Sequence, residues 1–429
     1  MDMDPPEPRP GIPPPTWRQR LRGLAIDISP LRQSRELRLL YVGNLVSTFG
    51  NEVTFVAVAF QVFQLTHSTL AVGLLGLCYL VPLLLLSLLG GAIADTVDRR
   101  LLLLTTEAVG MVTPVVLAWN AIRESPFLWP LYAVSVLSAT VYALGSPGFR
   151  SAVPRLVPKD KIPAAAALEF ITHNVGAIAG PAVAGLGIAA VGLTATYGLD
   201  AVTFILSLAT AFLLRPIPPD VGQERVSVGA VLDGFRFLRG KQVLQGSFVV
   251  DLNATIFGMP NALFPAVAVR LGGGASVVGL LYAAPSVGSL LTSLTSGWTG
   301  RVRRQGIAVY VGVLAWGASL VLFGLAGTLW LSLLGLCLAG AADTVSGIFR
   351  TAILQTATPP NMMGRLHGLE LTIVATGPSL GDVEAGALAA WTSVPFSIVF
   401  GGIACMVGVG VMAWRMPRFA RYDRAHPVP

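Results

Sequence analysis

Phe149-Arg150-Ser151-Ala152-Val153 returns two hundred residues later as Phe349-Arg350-Thr351-Ala352-Ile353. After a one-residue change of register, Leu168-Glu169 is answered by Leu369-Glu370, Gly176 and Gly180 by Gly377 and Gly381, and Gly185 by Gly386. Ala71-Val72-Gly73-Leu74-Leu75 resembles Val277-Val278-Gly279-Leu280-Leu281 in the same way. Matches among apolar residues come cheaply. Matched Arg, Glu and paired Gly at one offset do not, so the chain reads as two copies of one unit.

What each unit is follows from composition. The chain has 429 residues, 54% hydrophobic and only 12% charged, where soluble domains carry roughly 25% charged residues. A bilayer removes the need for polar surface. Apolar runs of span length fall at about 39–64, 70–94, 101–122, 127–149, 163–190, 194–214, 244–268, 276–299, 306–325, 328–349, 365–390 and 394–415. The expected fold is an all-α membrane protein with twelve transmembrane helices in two six-helix bundles. The expected division is a leader over 1–38, Pro-rich then basic; a first bundle over 39–214; a central loop over 215–243; a second bundle over 244–415; and a tail over 416–429. Within the loop, Ser227 to Arg239 places apolar residues on one helical face and suits a short helix on the membrane surface. The first run is longer than the apolar core of a signal peptide.

With the N-terminus placed in the cytoplasm, the segments on that side hold 27 of the 29 Lys and Arg, and the opposite loops hold only Arg123 and Arg270. The positive-inside rule therefore puts both termini in the cytoplasm and the chain in the cell membrane as a multi-pass protein. The net charge of +7 comes in short bursts between apolar runs, not as a patch, which argues against a nucleic-acid partner. Cys78, Cys337 and Cys405 each lie inside an apolar run without metal-ligand spacing. No metal or cofactor is expected. Gly234 to Lys241 has the wrong glycine spacing for a phosphate loop, and Gln242 stands where Ser or Thr would meet magnesium. The chain is expected not to be an enzyme, and transport would draw on an ion or solute gradient.

Gly91-Ala-Ile-Ala-Asp95-Thr-Val-Asp98-Arg99-Arg100 lies between spans two and three. Gly91, Ala94, Asp95, Arg99 and Arg100 match the loop motif of the major facilitator superfamily, which this chain resembles; Thr96 and Asp98 depart from it. In a cytoplasmic loop beside the helix ends, Asp95, Arg99 and Arg100 are expected to hold the outward-facing state by ion pairs across the halves. Gly176-x-x-x-Gly180-Pro181-x-x-Ala184-Gly185 is similar to the superfamily's antiporter motif, which is associated with export. Thr66-His67-Ser68-Thr69, Gly234-Phe-Arg-Phe-Leu238, Gly279-Leu-Leu-Tyr-Ala283 and Leu354-Gln355 with Gly364-Arg365 resemble the enterobactin exporter family, which includes drug exporters. Span four departs from many drug–proton antiporters, because 131–148 contains no basic residue. The resemblance implies an exporter of a siderophore or drug-like compound; with no nucleotide motif a proton gradient is the expected driver, and the chain is expected to act as a monomer. A nutrient importer and a non-transporting receptor or scaffold of the same fold are the alternatives.

Two similar bundles can rock about a site between them. The paired glycines, Gly176 and Gly180 with Pro181, and Gly377 and Gly381, suit close helix packing. Ionisable residues within spans are costly and mark function. Glu52 in span one, Asp251 and Asn253 in span seven and Asp382 in span eleven are candidates for a proton and substrate cavity. Asp200, Asp343 and Glu384 are further acids within spans. Arg150, Glu169, Arg350, Arg365 and Glu370 are candidates for a cytoplasmic gate. The expected cavity offers more acids than bases, which suits a cationic or neutral solute at least as well as an anionic siderophore. Cysteines introduced at Ser125 and Thr328 should react with an impermeant thiol reagent added outside intact cells, and cysteines at Arg225 and Arg421 should not. Outside labelling at 225 would overturn the topology.

Overall fold

The computed structural model describes residues 27–218, 236–359 and 362–424, apart from the side chains of Leu88, Ala92, Asp95, Gly364, His367, Gly368 and Leu371. Every regular element among them is helical. In the first half, α1 is Arg35–Thr66, α2 is Thr69–Thr96, and α3 runs as Arg99–Gly110 and Val112–Ile122. α4 is Trp129–Leu156. Ile162–Leu213 bends at Gly192, whose φ of 83° is a left-handed value that only glycine adopts freely, and this divides it into α5 (162–191) and α6 (193–213). The break expected between spans five and six is thus a single glycine hinge.

In the second half, α7 is Gln242–Gly258 continued by Phe264–Arg270, α8 is Ala275–Leu294 and α9 is Gln305–Leu325. α10 is Leu329–Ala357, α11 is Met363–Trp391 and α12 is Val394–Arg415. Nine described stretches are long and apolar enough to cross a membrane. The stretch holding α5 and α6 makes two crossings. α4 and α11 fall outside the nine, and α11 carries Arg365, Glu370, Asp382 and Glu384 within its length. The surface helix expected from Ser227 lies almost wholly outside the described residues, as does the leader before residue 27.

Caps explain several boundaries. Ser34 Oγ accepts from Leu37 N at 3.1 Å and Ser68 Oγ from Ala71 N at 3.3 Å, each satisfying an orphan donor at a helix start. Asp98, which departs from the family loop pattern, caps α3 by accepting from Arg100 N at 2.9 Å. α7 does not run unbroken over 244–268 as the apolar pattern suggests. It opens after Gly258 because Pro260 has no N–H to give and fixes its own φ.

Glycine sets how the helices meet. Within the first half α5 crosses α1 with Gly180 against Glu52 Cβ and Gly176 against the Thr48 methyl. Within the second half α11 crosses α7 with Gly381 and Gly377 against Thr255. Between the halves, α5 meets α8 where Gly185 faces the Ala275 carbonyl and Gly279 the Pro181 carbonyl. α11 meets α2 where Gly386 faces the Thr69 carbonyl and Gly73 that of Asp382. A Cβ at Gly185 or Gly386 would stand 2.6 Å from a backbone oxygen. Since Gly185 and Gly386, and Gly73 and Gly279, are repeat mates, these contacts express a pseudo-two-fold axis. All four lie toward the helix ends remote from Arg99, Arg150, Arg303 and Arg350. We call these the far end and the arginine-bearing end the basic end.

Candidate functional site

On α1, Thr48, Asn51, Glu52 and Phe55 share one face at helical spacing. Phe55 reaches the other bundle, its ring 5.6 Å edge-on from Tyr282 of α8. This face of α1 therefore fronts the space between the halves. Glu52 is partly exposed, and among the described residues no hydrogen bond or ion pair engages its carboxylate.

Asp251 is different. It is buried in α7 and forms an ion pair with Arg350 of α10, whose guanidinium also lies 3.8 Å from Asp343. The Asp343 side chain is 44% exposed, whereas those of Arg350 and Asp251 are 15% and 9% exposed. Glu370 and Thr351 line the same narrow cleft between α7, α10 and α11. Asp251 thus carries its own counter-ion and Glu52 does not. Asn253 points away from this cleft, donating to the Cys405 carbonyl of α12 at 3.0 Å.

Asp382 supports the break in α7. Opening a helix inside a membrane frees backbone groups that lipid cannot satisfy. Here side chains from three helices take them up. Trp316 Nε1 of α9 donates to the Gly258 carbonyl at 3.1 Å, and the Tyr282 hydroxyl donates to the Asn261 carbonyl at 2.9 Å. Asp382 Oδ1 of α11 accepts from Ala262 N at 2.9 Å. Tyr282 and Trp316 are not singled out by sequence reasoning; Gly258-Met-Pro260 is the signal that could have found them.

The described hydrogen bonds of Arg99 and Arg100 stay within one bundle. Arg99 is buried; it donates through Nη1 to the Pro218 carbonyl at 2.7 Å and through Nε to Ser151 at 3.1 Å. Arg100 donates to the Phe212 carbonyl at 2.7 Å, satisfying an orphan acceptor at the end of α6. Together they tie α3, α4 and the chain leaving α6. The side chain of Asp95 lies outside the described structure, and Gly91 has open space where a Cβ would be. The gate candidates stand on four helices at the basic end: Arg150 on α4, Glu169 on α5, Arg350 on α10, and Arg365 and Glu370 on α11. Arg150 and Arg365 are exposed, and Glu169 and Glu370 are partly so.

A second acidic cluster lies inside the first bundle. Asp200 of α6 is fully buried and accepts from Thr54 at 2.5 Å and from Thr203 at 3.0 Å. Glu107 of α3, absent from the sequence candidates, approaches Ser47 and Ser207. Its single charge inside a Leu-rich run was the available signal. Among the described residues no group of His, Cys, Asp and Glu could hold a metal ion.

The model of the transmembrane secretion effector family matches residues 25–426. The enterobactin exporter of Citrobacter koseri is 26% identical over 408 residues, covering 94% of this chain and 97% of that protein. The enterobactin exporter of Shigella boydii is 28% identical over 387 residues, covering 90% and 93%. Among solved structures, a POT family transporter in complex with 5-aminolevulinic acid superposes with a TM-score of 0.72 at 15% identity, covering 90% of this chain and 97% of its own. The nucleoside transporter NupG superposes with a TM-score of 0.64 at 13% identity, covering 90% and 100%. These two show the fold.

Removing one partner of a buried ion pair leaves an uncompensated charge, at a cost of roughly 3–5 kcal/mol. Arg350→Gln leaves both Asp251 and Asp343 without it and should lower the thermal unfolding midpoint in detergent clearly. Arg350→Gln combined with Asp251→Asn should recover at least half of that loss. A double variant no more stable than Arg350→Gln alone would show that the pair is not the source of the effect.

Proposed function

Because this chain belongs to the transmembrane secretion effector family, within the major facilitator superfamily, we propose that it exports its solute in exchange for protons by rocking two bundles about the Glu52 face. It is a secondary transporter that exports a small molecule across a membrane. The observation that carries the finer reading is the distribution of the close contacts. The glycine-mediated approaches between halves lie at the far end, while the exposed gate charges stand at the basic end. This arrangement suits the state in which the cavity opens toward the arginines. By the positive-inside argument that side is the cytoplasm, where an exporter loads.

The same two-fold axis suggests how the basic end closes. α11 and α4 both pack against α2, and α5 and α10 both pack against α8. Rocking the halves together at the basic end brings α4 toward α11 and α10 toward α5. Arg150 then approaches Glu370, and Arg350 approaches Glu169. These pairs are related by the repeat, so one motion forms both. For Arg350, contact with Glu169 competes with its hold on Asp251. Each pairing biases a two-state equilibrium instead of driving it alone. Arg99 and Arg100 keep the first bundle rigid while this happens.

Glu52 is the proton carrier in this reading. A carrier must exchange its proton with each side in turn, which suits a carboxyl fronting the gap with no fixed counter-ion. Asp251 ranks second because Arg350 already neutralises it. The relatives' name suggests a siderophore-like cargo, and the sequence resemblance admits a drug-like one; a single chain contains both bundles, so a monomer suffices. The test is transport into vesicles with an imposed pH gradient. Glu52→Gln should fail to concentrate cargo, losing about tenfold or more of uphill transport; each tenfold is 1.4 kcal/mol. Uphill transport equal to wild type would remove Glu52 from the mechanism, and failure of Asp251→Asn alone would pass the role to Asp251.

A further inference from the structure

The last two turns of α6 end against an arginine that belongs to another helix. Ile205, Leu208, Ala209, Phe212 and Leu213 share one face of α6 at helical spacing and line a groove of about 430 Å³. This face looks outward from the bundle, and Ile205, Phe212 and Leu213 are exposed on it. The opposite side of α6 presents Asp200 and Thr203 to Gly50, and Thr210 to Gly43, of α1. Ala209 is the smallest of the five and leaves the depression between larger side chains. From Ile205 to Leu213 the face rises about 12 Å at 1.5 Å per residue. That is close to the depth of one leaflet, half of a hydrocarbon core about 30 Å thick.

Arg100 of α3 stands at the basic end of this groove. Its guanidinium carbon lies 5.6 Å from the centre of the Phe212 ring, and its Nη2 donates to the Phe212 carbonyl at 2.7 Å. That bond uses one of the five N–H groups of a guanidinium. Among the described residues no acid pairs with the rest, and Nε has no hydrogen-bond partner. Arg215, three residues beyond Phe212, has a side chain 80% exposed. The described acids around this rim are already engaged. Asp98 Oδ1 accepts from Arg100 N and Leu101 N as the cap of α3. Glu36 accepts from Arg215 N at 2.9 Å and lies between the guanidinium groups of Arg35 and Arg215, at 3.5 and 3.7 Å. Surplus guanidinium beside a leaflet-deep apolar groove matches a phosphate that carries acyl chains. A quaternary ammonium headgroup would meet no unengaged carboxylate among the described side chains.

We propose that this groove binds one anionic phospholipid, with an acyl chain along Ile205 to Leu213 and the phosphate at Arg100 and Arg215. By the positive-inside argument the basic end meets the cytoplasmic leaflet, whose anionic lipids supply the ligand. The inference is independent of the cargo and of proton coupling. Arg100 joins α3 to the end of α6, so a bound phosphate fastens the same joint from the lipid side. Diffuse attraction of anionic lipid to the whole basic end has a different signature. It weakens equally wherever one positive charge is removed, and it is indifferent to the shape of α6.

Native mass spectrometry of the full chain in neutral detergent, titrated with phosphatidylglycerol or phosphatidylcholine of identical acyl chains, reads the first lipid bound. Wild type should bind the first phosphatidylglycerol about tenfold tighter than phosphatidylcholine. Arg100→Gln should weaken phosphatidylglycerol by about fivefold and leave phosphatidylcholine unchanged. Arg301→Gln removes the same charge from an exposed position of the other bundle and should leave the first phosphatidylglycerol unchanged. Ala209→Trp fills the groove and keeps Arg100, and it should weaken both lipids severalfold. Ala209 is exposed, so this variant preserves the packing of α6 and reports on the groove even where Arg100→Gln fails to fold. Phosphatidylglycerol should also raise the unfolding midpoint of wild type more than that of Ala209→Trp. Equal affinity of wild type for the two lipids would overturn the proposal. So would equal losses from Arg100→Gln and Arg301→Gln, the mark of a diffuse belt, or phosphatidylglycerol binding that Ala209→Trp leaves intact.

Discussion

The two halves of this protein can meet closely because glycine puts hydrogen where every other residue puts carbon. At Gly185 and Gly279, and again at Gly73 and Gly386, a Cβ would come within 2.6 Å or less of a backbone oxygen on the facing helix. In a membrane no hydrophobic effect drives helices together, because lipid is as apolar as leucine, so dispersion at close range must supply the attraction. The contact is therefore strong only when the backbones nearly touch, and it is lost over a small displacement. A short-range contact of this kind makes a good gate. It holds well when closed and costs little once the helices begin to part.

The polar residues are arranged to leave that gate free to move. Arg99 and Arg100 fasten α3 and α4 to the end of α6, and Arg350 fastens α7 to α10. Asp382, Tyr282 and Trp316 repair the broken backbone of α7 within the second bundle. These directional interactions join helices of one half. The named contacts between halves are glycine crossings, the Phe55–Tyr282 ring pair and the hydrogen bond from Thr69 to the Gly386 carbonyl at 2.9 Å. Strong bonds inside each bundle and short-range contacts between them are what rigid-body rocking requires.

Much of this was legible in the sequence because membranes impose simple rules. Span length and basic residues mark the crossings, and matched glycines reveal the repeat. The α7 break was not read, because the apolar pattern over 244–268 runs straight through Pro260 and masks it. Nor could a sequence show which acids are neutralised. Asp251 and Glu52 look alike as single carboxyls within spans, and only folding brings Arg350, ninety-nine residues away in the chain, to one and not the other. Glu107 was overlooked because its partners, Ser47 and Ser207, are ordinary polar residues with no motif. Asp98 read as a departure from the loop pattern, and its role as the cap of α3 emerged only from the backbone geometry.

If the bundles move as units, opening one end closes the other. Pulsed electron spin resonance on two doubly labelled variants tests it most directly. One pair of labels sits at the basic end, at Arg155 on α4 and Thr356 on α10. The other sits at the far end, at Ile122 on α3 and Leu325 on α9. With a change of pH or added cargo, the basic-end distance should shorten by several ångströms while the far-end distance lengthens in the same fraction of molecules. Two distances that change in the same sense, or a far end that stays fixed while the basic end closes, would contradict it.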